Sequence, residues 1–174
     1  SVGLNSLAAN TTGSENDAFG SEALDANTTG AGNVGIGRTS FTSVTTGNNN
    51  AGLGYQTGYY QTGSQNTFVG SKAGIGADGS STADNNTGVG YLALTAITTG
   101  SQNVAVGQNT ADAVTTGSSN VAVGAHALGQ TTTGSNNTAV GHNALTANTT
   151  ASSNTAMGHN CFTANPTGTN NAGF

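Results

Sequence analysis

The sequence is poor in charge, and above all in positive charge. Charged residues make up 5% of the 174 residues, Arg38 and Lys72 are the two fixed cations, and the formal net charge is −5. Nucleic-acid binding needs clusters of Lys and Arg that release counterions from phosphates. An anionic membrane surface is bound through similar clusters. The sequence therefore predicts neither a nucleic-acid partner nor attachment to such a membrane.

Long apolar runs and a cysteine framework are also missing. No run approaches the roughly 20 apolar residues of a membrane-spanning helix, so membrane insertion is not expected. Cys161 is the one cysteine, cannot form an intrachain disulfide, and occupies a small-residue position that favours a packed thiol. With no initiator Met and no signal peptide, and with ends inside repeats, we expect a piece of a longer or processed protein.

Glycine is abundant, and it recurs at a fixed interval. It closes the motif Asn-x-(Ala/Gly)-apolar-Gly, as in residues 103–107 and 120–124. Successive motif glycines lie 17, 17, 17, 16, 20, 17, 17, 17 and 17 residues apart. This period predicts a single repeat domain over residues 1–174 and argues against disorder, because a disordered chain has no reason to keep register.

Each repeat carries an asparagine, an apolar residue three positions later and a threonine four positions earlier. Alternation with period two before a glycine predicts a short strand. We expect its bulky face to point into a core and its Ala/Gly face to be bare, so that another backbone can approach closely. We also expect the threonine to be inward or locally bonded. The positions expected to stack as structural ladders are Asn16, Asn33, Asn50, Asn66, Asn86, Asn103, Asn120, Asn137, Asn154, Val106, Val123, Val140, Thr99, Thr116 and Thr133.

The second half of each repeat holds a small residue followed by a large one, such as Leu94 or Leu128, and then a Thr-Gly-Ser turn. We interpret this pair as a second short strand. Gly58, Gly74 and Ala111 replace the large residue, which predicts a thinner core in the middle of the chain. Helical periodicity is absent. The predicted fold is therefore all-β: a parallel β-solenoid of about ten 17-residue coils.

The two repeats of unusual length supply the candidate ligand contacts. The 16-residue repeat holds Tyr55, Tyr59 and Tyr60, which we expect to form an exposed aromatic cluster. The 20-residue repeat carries Asp78 and Asp84, with residues 76–82 expected to bulge as a loop of the kind that often binds partners. Aromatic rings with Asn and Thr favour a surface glycan or a receptor. Calcium is another candidate ligand, which Asp78, Asp84 and Asn85 would bind, although their spacing is not that of an EF-hand.

The sequence contains few residues that could bind a metal or catalyse a reaction. His142 and His159 share one position in the repeat and are weak metal candidates, whereas the alternative for them and for His126 is a solvated ladder. The acidic residues Glu15 and Asp17, with Glu22 and Asp25, are better interpreted as solvating one end than as a glycosidase pair. No Ser/His/Asp or Cys/His spacing is organised. We therefore expect no enzyme, no catalytic residue and no cofactor.

The repeated words, such as Asn-Thr-Ala-Val-Gly-His-Asn-Ala-Leu at residues 137–145, resemble the YadA-like head repeats of trimeric autotransporter adhesins and related repeats of bacteriophage tail fibres. The resemblance implies a left-handed β-roll, a homotrimer, an extracellular location on a virion fibre or bacterial surface, and attachment to a host by multivalent contacts. The bare Ala/Gly face is the expected contact between chains. The longer period and the Thr-Thr-Gly turn are more similar to the phage-fibre repeats. A core this small predicts oligomerisation independently.

An ice-binding β-solenoid is the alternative function. Thr is doubled in seven of the turns, and flat ranks of outward Thr on a solenoid can bind ice. We expect the first Thr of each pair to be the outward one, and its rank is interrupted by Gln61, Ser81 and Pro166.

Overall fold

The chain is a β-solenoid in which each repeat makes one coil, as described by a computed structural model for residues 1–77, 81–164 and 167–174. Ten parallel strands, one per coil, stack in chain order into a single sheet, which at about 4.8 Å per strand is about 43 Å long. The described residues contain no helix, and so none that could cross a membrane. The all-β parallel solenoid is thus confirmed. The strands are β1 (Asp17–Phe19), β2 (Val34–Ile36), β3 (Ala51–Leu53), β4 (Thr67–Val69), β5 (Thr87–Val89), β6 (Val104–Val106), β7 (Val121–Val123), β8 (Thr138–Val140), β9 (Thr155–Met157) and β10 (Ala172–Gly173).

Neighbouring strands pair at identical motif positions. Ala105 of β6 is opposite Ala122 of β7, which is opposite Ala139 of β8. The motif glycine after each strand explains how closely the coils approach, since a Cβ on Gly107, whose φ is 139°, would lie 2.8 Å from the carbonyl of Gly124. The close backbone approach expected from the glycine content therefore occurs between coils of the same chain.

The strands face the opposite way from the sequence prediction. The middle residue of each three-residue strand is inside, as at Ala105, whereas Val104 and Val106 are each 38% exposed. Val106, Val123 and Val140 do form one column, but it lies on the outside of the solenoid. The interior is tight at Gly35, because a Cβ added there would lie 3.1 Å from Cγ of Leu24. The bare face is therefore interior and is not a contact between chains.

The predicted second strand is also wrong, because the small–large pair lies in a turn. Leu94, Leu128 and Leu145 are fully buried and have φ values of 53°, 52° and 52°. This left-handed conformation reverses the chain and directs the leucine into the core. It costs about 1–2 kcal/mol per residue, and burying a leucine offsets that cost with about 1.5–3 kcal/mol.

The core is not thin where glycine replaces the large residue, so that prediction is wrong as well. Phe41 and Phe68 fill the space, with ring centroids 6.0 Å apart and no exposure. A Cβ at Gly58 would overlap the ring of Phe41, and one at Gly74 would overlap the ring of Phe68. Each glycine is therefore the counterpart of a phenylalanine that enters from a neighbouring position.

Removing the Phe68 ring should lower the free energy of unfolding by about 3–5 kcal/mol, the usual cost of such a cavity. Adding Gly74→Leu to Phe68→Ala should restore part of the loss, because leucine occupies the same left-handed position in other coils. The guanidinium midpoint, followed by circular dichroism, measures both. Phe19→Ala, at a ring that is 49% exposed, is the control; an equal loss there would contradict the packing argument.

Candidate functional surfaces

A ladder of buried asparagine amides runs along the interior. Asn120 Nδ2 donates to Asn103 Oδ1 at 3.0 Å and to the carbonyl of Gly134 at 2.9 Å. Its own Oδ1 accepts from the backbone N and from Nδ2 of Asn137, at 3.0 and 3.1 Å. Each amide thereby ties three coils together. With all of these groups bonded, the asparagines hold the solenoid and are not available to a ligand.

The doubled threonines are arranged in the reverse of the expected way. The first Thr is bonded to the next coil: the hydroxyl of Thr98 donates to the carbonyl of Thr115 at 3.0 Å, and that of Thr115 to the carbonyl of Thr132 at 3.1 Å. The second Thr points outward. It forms a threonine column that is half-buried at Thr62 and exposed at Thr12, Thr29, Thr46, Thr82, Thr99, Thr116, Thr133, Thr150 and Thr167.

The two invariant columns should therefore respond differently to mutation. Asn120→Ala should lower the free energy of unfolding by at least about 1–3 kcal/mol, because it leaves buried partners such as the Gly134 carbonyl unbonded. Thr116→Ala should change it by less than about 0.5 kcal/mol, since that side chain is exposed. Chemical denaturation of the two variants side by side measures the difference. Similar losses of unfolding free energy in the two variants would show that the threonine column also stabilises the fold.

An apolar face covers the outside of the sheet, and we name it the outer strand face. It measures about 43 Å by about 10 Å, and Asp17 is its one charged residue among those described. The large apolar members are exposed to a third or more at many positions. It consists of Asp17, Val34, Ala51, Thr67, Thr87, Val104, Val121, Thr138, Thr155 and Ala172 in one column, and Phe19, Ile36, Leu53, Val69, Val89, Val106, Val123, Val140, Met157 and Phe174 in the other.

The three tyrosines proposed as one exposed cluster divide into two groups. Tyr59 and Tyr60 are half-buried and pack edge to face, with centroids 4.6 Å apart. Tyr55 is exposed, and the guanidinium carbon of Arg38 lies 5.4 Å from its ring centroid. Sequence reasoning missed Tyr91, which is 49% exposed. The available signal was its position directly after a motif glycine, which it shares with Tyr55.

The structure describes one of the two acidic candidates in the long repeat. Asp78 lies outside the described residues. Asp84 is half-buried, and its Oδ1 accepts from the backbone N of Ser64 at 2.6 Å. The Ser81 hydroxyl donates to the carbonyls of Ala77 and Ile97, each at 3.1 Å. Asp84 therefore contributes to stacking of the coils.

The three histidines form a row along the solenoid. His142 and His159 stack with centroids 5.3 Å apart and planes at 10°, and His126 meets His142 edge to face at 6.1 Å. Within the described ranges, no group of three His, Cys, Asp or Glu side chains could hold a metal ion. Metal binding by His142 and His159 stays a weak candidate.

Two aspartates occupy the same turn position in different coils. Burial raises the pKa of Asp25 and of Asp112, although backbone hydrogen bonds, and at Asp112 the charge of His126, oppose the shift. A raised folded-state pKa favours the protonated acid. Each carboxylate therefore lowers stability above its unfolded-state pKa of about 3.9, and the loss disappears as the pH falls below that value. Both aspartates therefore weaken the fold at neutral pH.

The chain matches no protein family, no curated protein and no solved structure in the comparisons made with each. The outer strand face, the threonine column and the exposed tyrosines are thus the features from which a function is inferred.

Proposed function

We propose that this chain is a structural module of an extracellular attachment fibre, in which three copies associate side by side through the outer strand face. The observation that carries the proposal is the outer strand face, in which one column is apolar at every coil and the other mixes Val and Ala with Thr and Asp17. The trimer, and the location on a virion fibre or a bacterial surface, come from the resemblance to adhesin-head and tail-fibre repeats. The proposal assigns no catalysis to the chain.

The size of the outer strand face supports association. A footprint of about 430 Å² lies within the range of the largest apolar patches on monomers, which are often functional. In a trimer each copy meets two neighbours, so flanking columns would join the contact and bring the buried area towards that of a stable interface, about 800 Å² per partner. The exposed columns, such as the one that contains Val104 and Val121, also have one member in every coil. Two rods can therefore meet along their whole length rather than at a single point.

The attachment role follows from repetition. A solenoid gives length and stiffness, and each coil presents the same outward positions at regular spacing. Weak contacts to a host surface are then multiplied by the number of coils and of chains. This mechanism needs no enclosed cavity and no reactive group.

Charges placed on the outer strand face should separate the chains without unfolding them. Val89→Lys/Val123→Lys puts two lysines two coils apart on that face, and Thr99→Lys/Thr133→Lys puts two on the threonine column as the control. Light scattering and native mass spectrometry should find a trimer for the wild type and the control, and a monomer for the Val variant, with unchanged circular dichroism. A folded, strictly monomeric wild type would refute the proposal.

A second candidate function, ice binding, is supported by the exposed threonine column. Gln61 and Ser81 are buried and do not interrupt its row, whereas Thr62 does, because its hydroxyl donates to the carbonyl of Ser81 at 3.0 Å. The hydroxyls on either side of Thr62 keep one regular spacing, which suits an ordered water lattice.

If the column binds ice, the wild type should show concentration-dependent thermal hysteresis, because adsorbed rods block growth of the crystal. Thr99→Tyr/Thr133→Tyr should abolish it by breaking the flat rank, and Val89→Lys/Val123→Lys should retain it. Absence of hysteresis in the wild type removes this function.

A further inference from the structure

One edge of the solenoid combines the exposed tyrosines with the two fixed cations of the chain. Arg38, Tyr55, Ser71 and Tyr91 each follow a motif glycine, in four consecutive coils. Backbone bonds fix this order, since the carbonyls of Arg38, Tyr55 and Ser71 accept from Gln56, Lys72 and Leu92 in the next coil, at 3.1, 2.8 and 3.2 Å. We name this set, together with Lys72, the Tyr55–Tyr91 edge.

Tyr55 and Tyr91 occupy the same turn position on either side of the coil that contains Ser71. Tyr55 and Tyr91 are 40% and 49% exposed. They lie two coils apart, about 9.6 Å at the usual strand spacing. A flat aromatic ligand between two ring faces needs only about 7–8 Å, twice the carbon contact distance. A puckered sugar ring is thicker and matches this spacing better.

The charges at this edge are available to a ligand. The Arg38 guanidinium is held against the ring of Tyr55 by a cation–π contact, 5.4 Å from the centroid. Neither Arg38 nor Lys72 forms an ion pair with a carboxylate in the part of the chain that the structure describes. In a chain with a net charge of −5, one fixed cation thus contacts Tyr55, and the other, Lys72, lies in the coil between those of Tyr55 and Tyr91. Arginine suits a carboxylate, because its planar fork donates two parallel hydrogen bonds.

We propose that the Tyr55–Tyr91 edge binds an acidic polysaccharide side-on, with one sugar ring between Tyr55 and Tyr91 and sugar carboxylates at Arg38 and Lys72. The described residues enclose no cavity, which suits a polymer that lies across the rod rather than a small ligand. The biological role of this site rests on the proposed attachment function, but the binding itself needs only one chain. A nucleic acid also carries rings and anionic groups. Two cations on a negatively charged chain are, however, too few to bind it.

Isothermal titration with polygalacturonate, with neutral dextran as the matched uncharged polymer, tests the site. Wild type should bind polygalacturonate and should bind dextran about tenfold or more weakly. Tyr55→Ala/Tyr91→Ala and Arg38→Gln/Lys72→Gln should each lose about tenfold or more, the effect of one well-made contact. His142→Ala/His159→Ala, at the same turn position further along the rod, should bind like wild type, and added salt should weaken binding.

Equal binding to dextran, equal binding by the edge variants, equal or tighter binding of single-stranded DNA, or no binding of polygalacturonate by wild type would each overturn the proposal. Circular dichroism of every variant separates loss of binding from loss of fold. Light scattering on the same samples separates this site from the proposed fibre: a trimer that ignores polygalacturonate refutes the sugar site alone, and a monomer that binds it refutes the trimer alone.

Discussion

The bonded chain of buried asparagine amides is the constraint on which the rest of the solenoid depends. It keeps its geometry where the repeat length does not: Asn50 to Asn66 spans 16 residues and Asn66 to Asn86 spans 20, yet in both steps the backbone N of the later residue donates to Oδ1 of the earlier one at 3.0 Å. Because the ladder sets the register, missing or additional residues are displaced into the turns. Variation in the irregular repeats therefore leaves the register of the strands unchanged, even where it reaches the interior, as at Gln61 and Phe68.

A narrow interior follows from this arrangement. The amides, the backbone and one or two larger side chains fill each coil, so the strand can direct only its middle residue inward. Valines on either side then have to lie outside, where they form an apolar face that a single chain leaves uncovered. The same limited space that makes one coil unable to fold alone also creates the surface by which, in our proposal, whole rods associate.

The period, the strand positions and the stacking of like residues could be predicted from the sequence, because they depend on spacing alone. The direction of each strand could not. In Val104–Val106, alternation with period two is equally consistent with either face inward, and the choice is made by Leu94 and its equivalents, which occupy the core from the opposite wall. The left-handed conformation of those leucines has no clear sequence signal, since a bulky residue with positive φ is uncommon. The glycine–phenylalanine exchange at Gly74 and Phe68 likewise joins positions that no repeat pattern links.

The candidate ligand contacts could likewise be predicted only in part from the sequence. Tyr55, Tyr59 and Tyr60 are close in sequence, but closeness in sequence does not mean closeness on the surface. In a solenoid, residues at the same position of successive coils share one edge, so Tyr55 lies on the edge of Arg38, one coil away, and of Tyr91, two coils away. The order of the threonine pair has a different cause, because it is the first hydroxyl that reaches a backbone carbonyl in the next coil, as Thr98 reaches that of Thr115.

The paired exchange of phenylalanine and glycine also bears on how such a rod can change length in evolution. Most coils are interchangeable, so duplication or deletion of one repeat lengthens or shortens the module by a fixed step without rebuilding its ends. The segment from Phe41 to Gly74 is different, because each ring fits only opposite its own glycine. A recombination breakpoint inside it would set ring against ring or leave a void, and selection should therefore preserve these coils as one inherited block while the number of coils around them drifts.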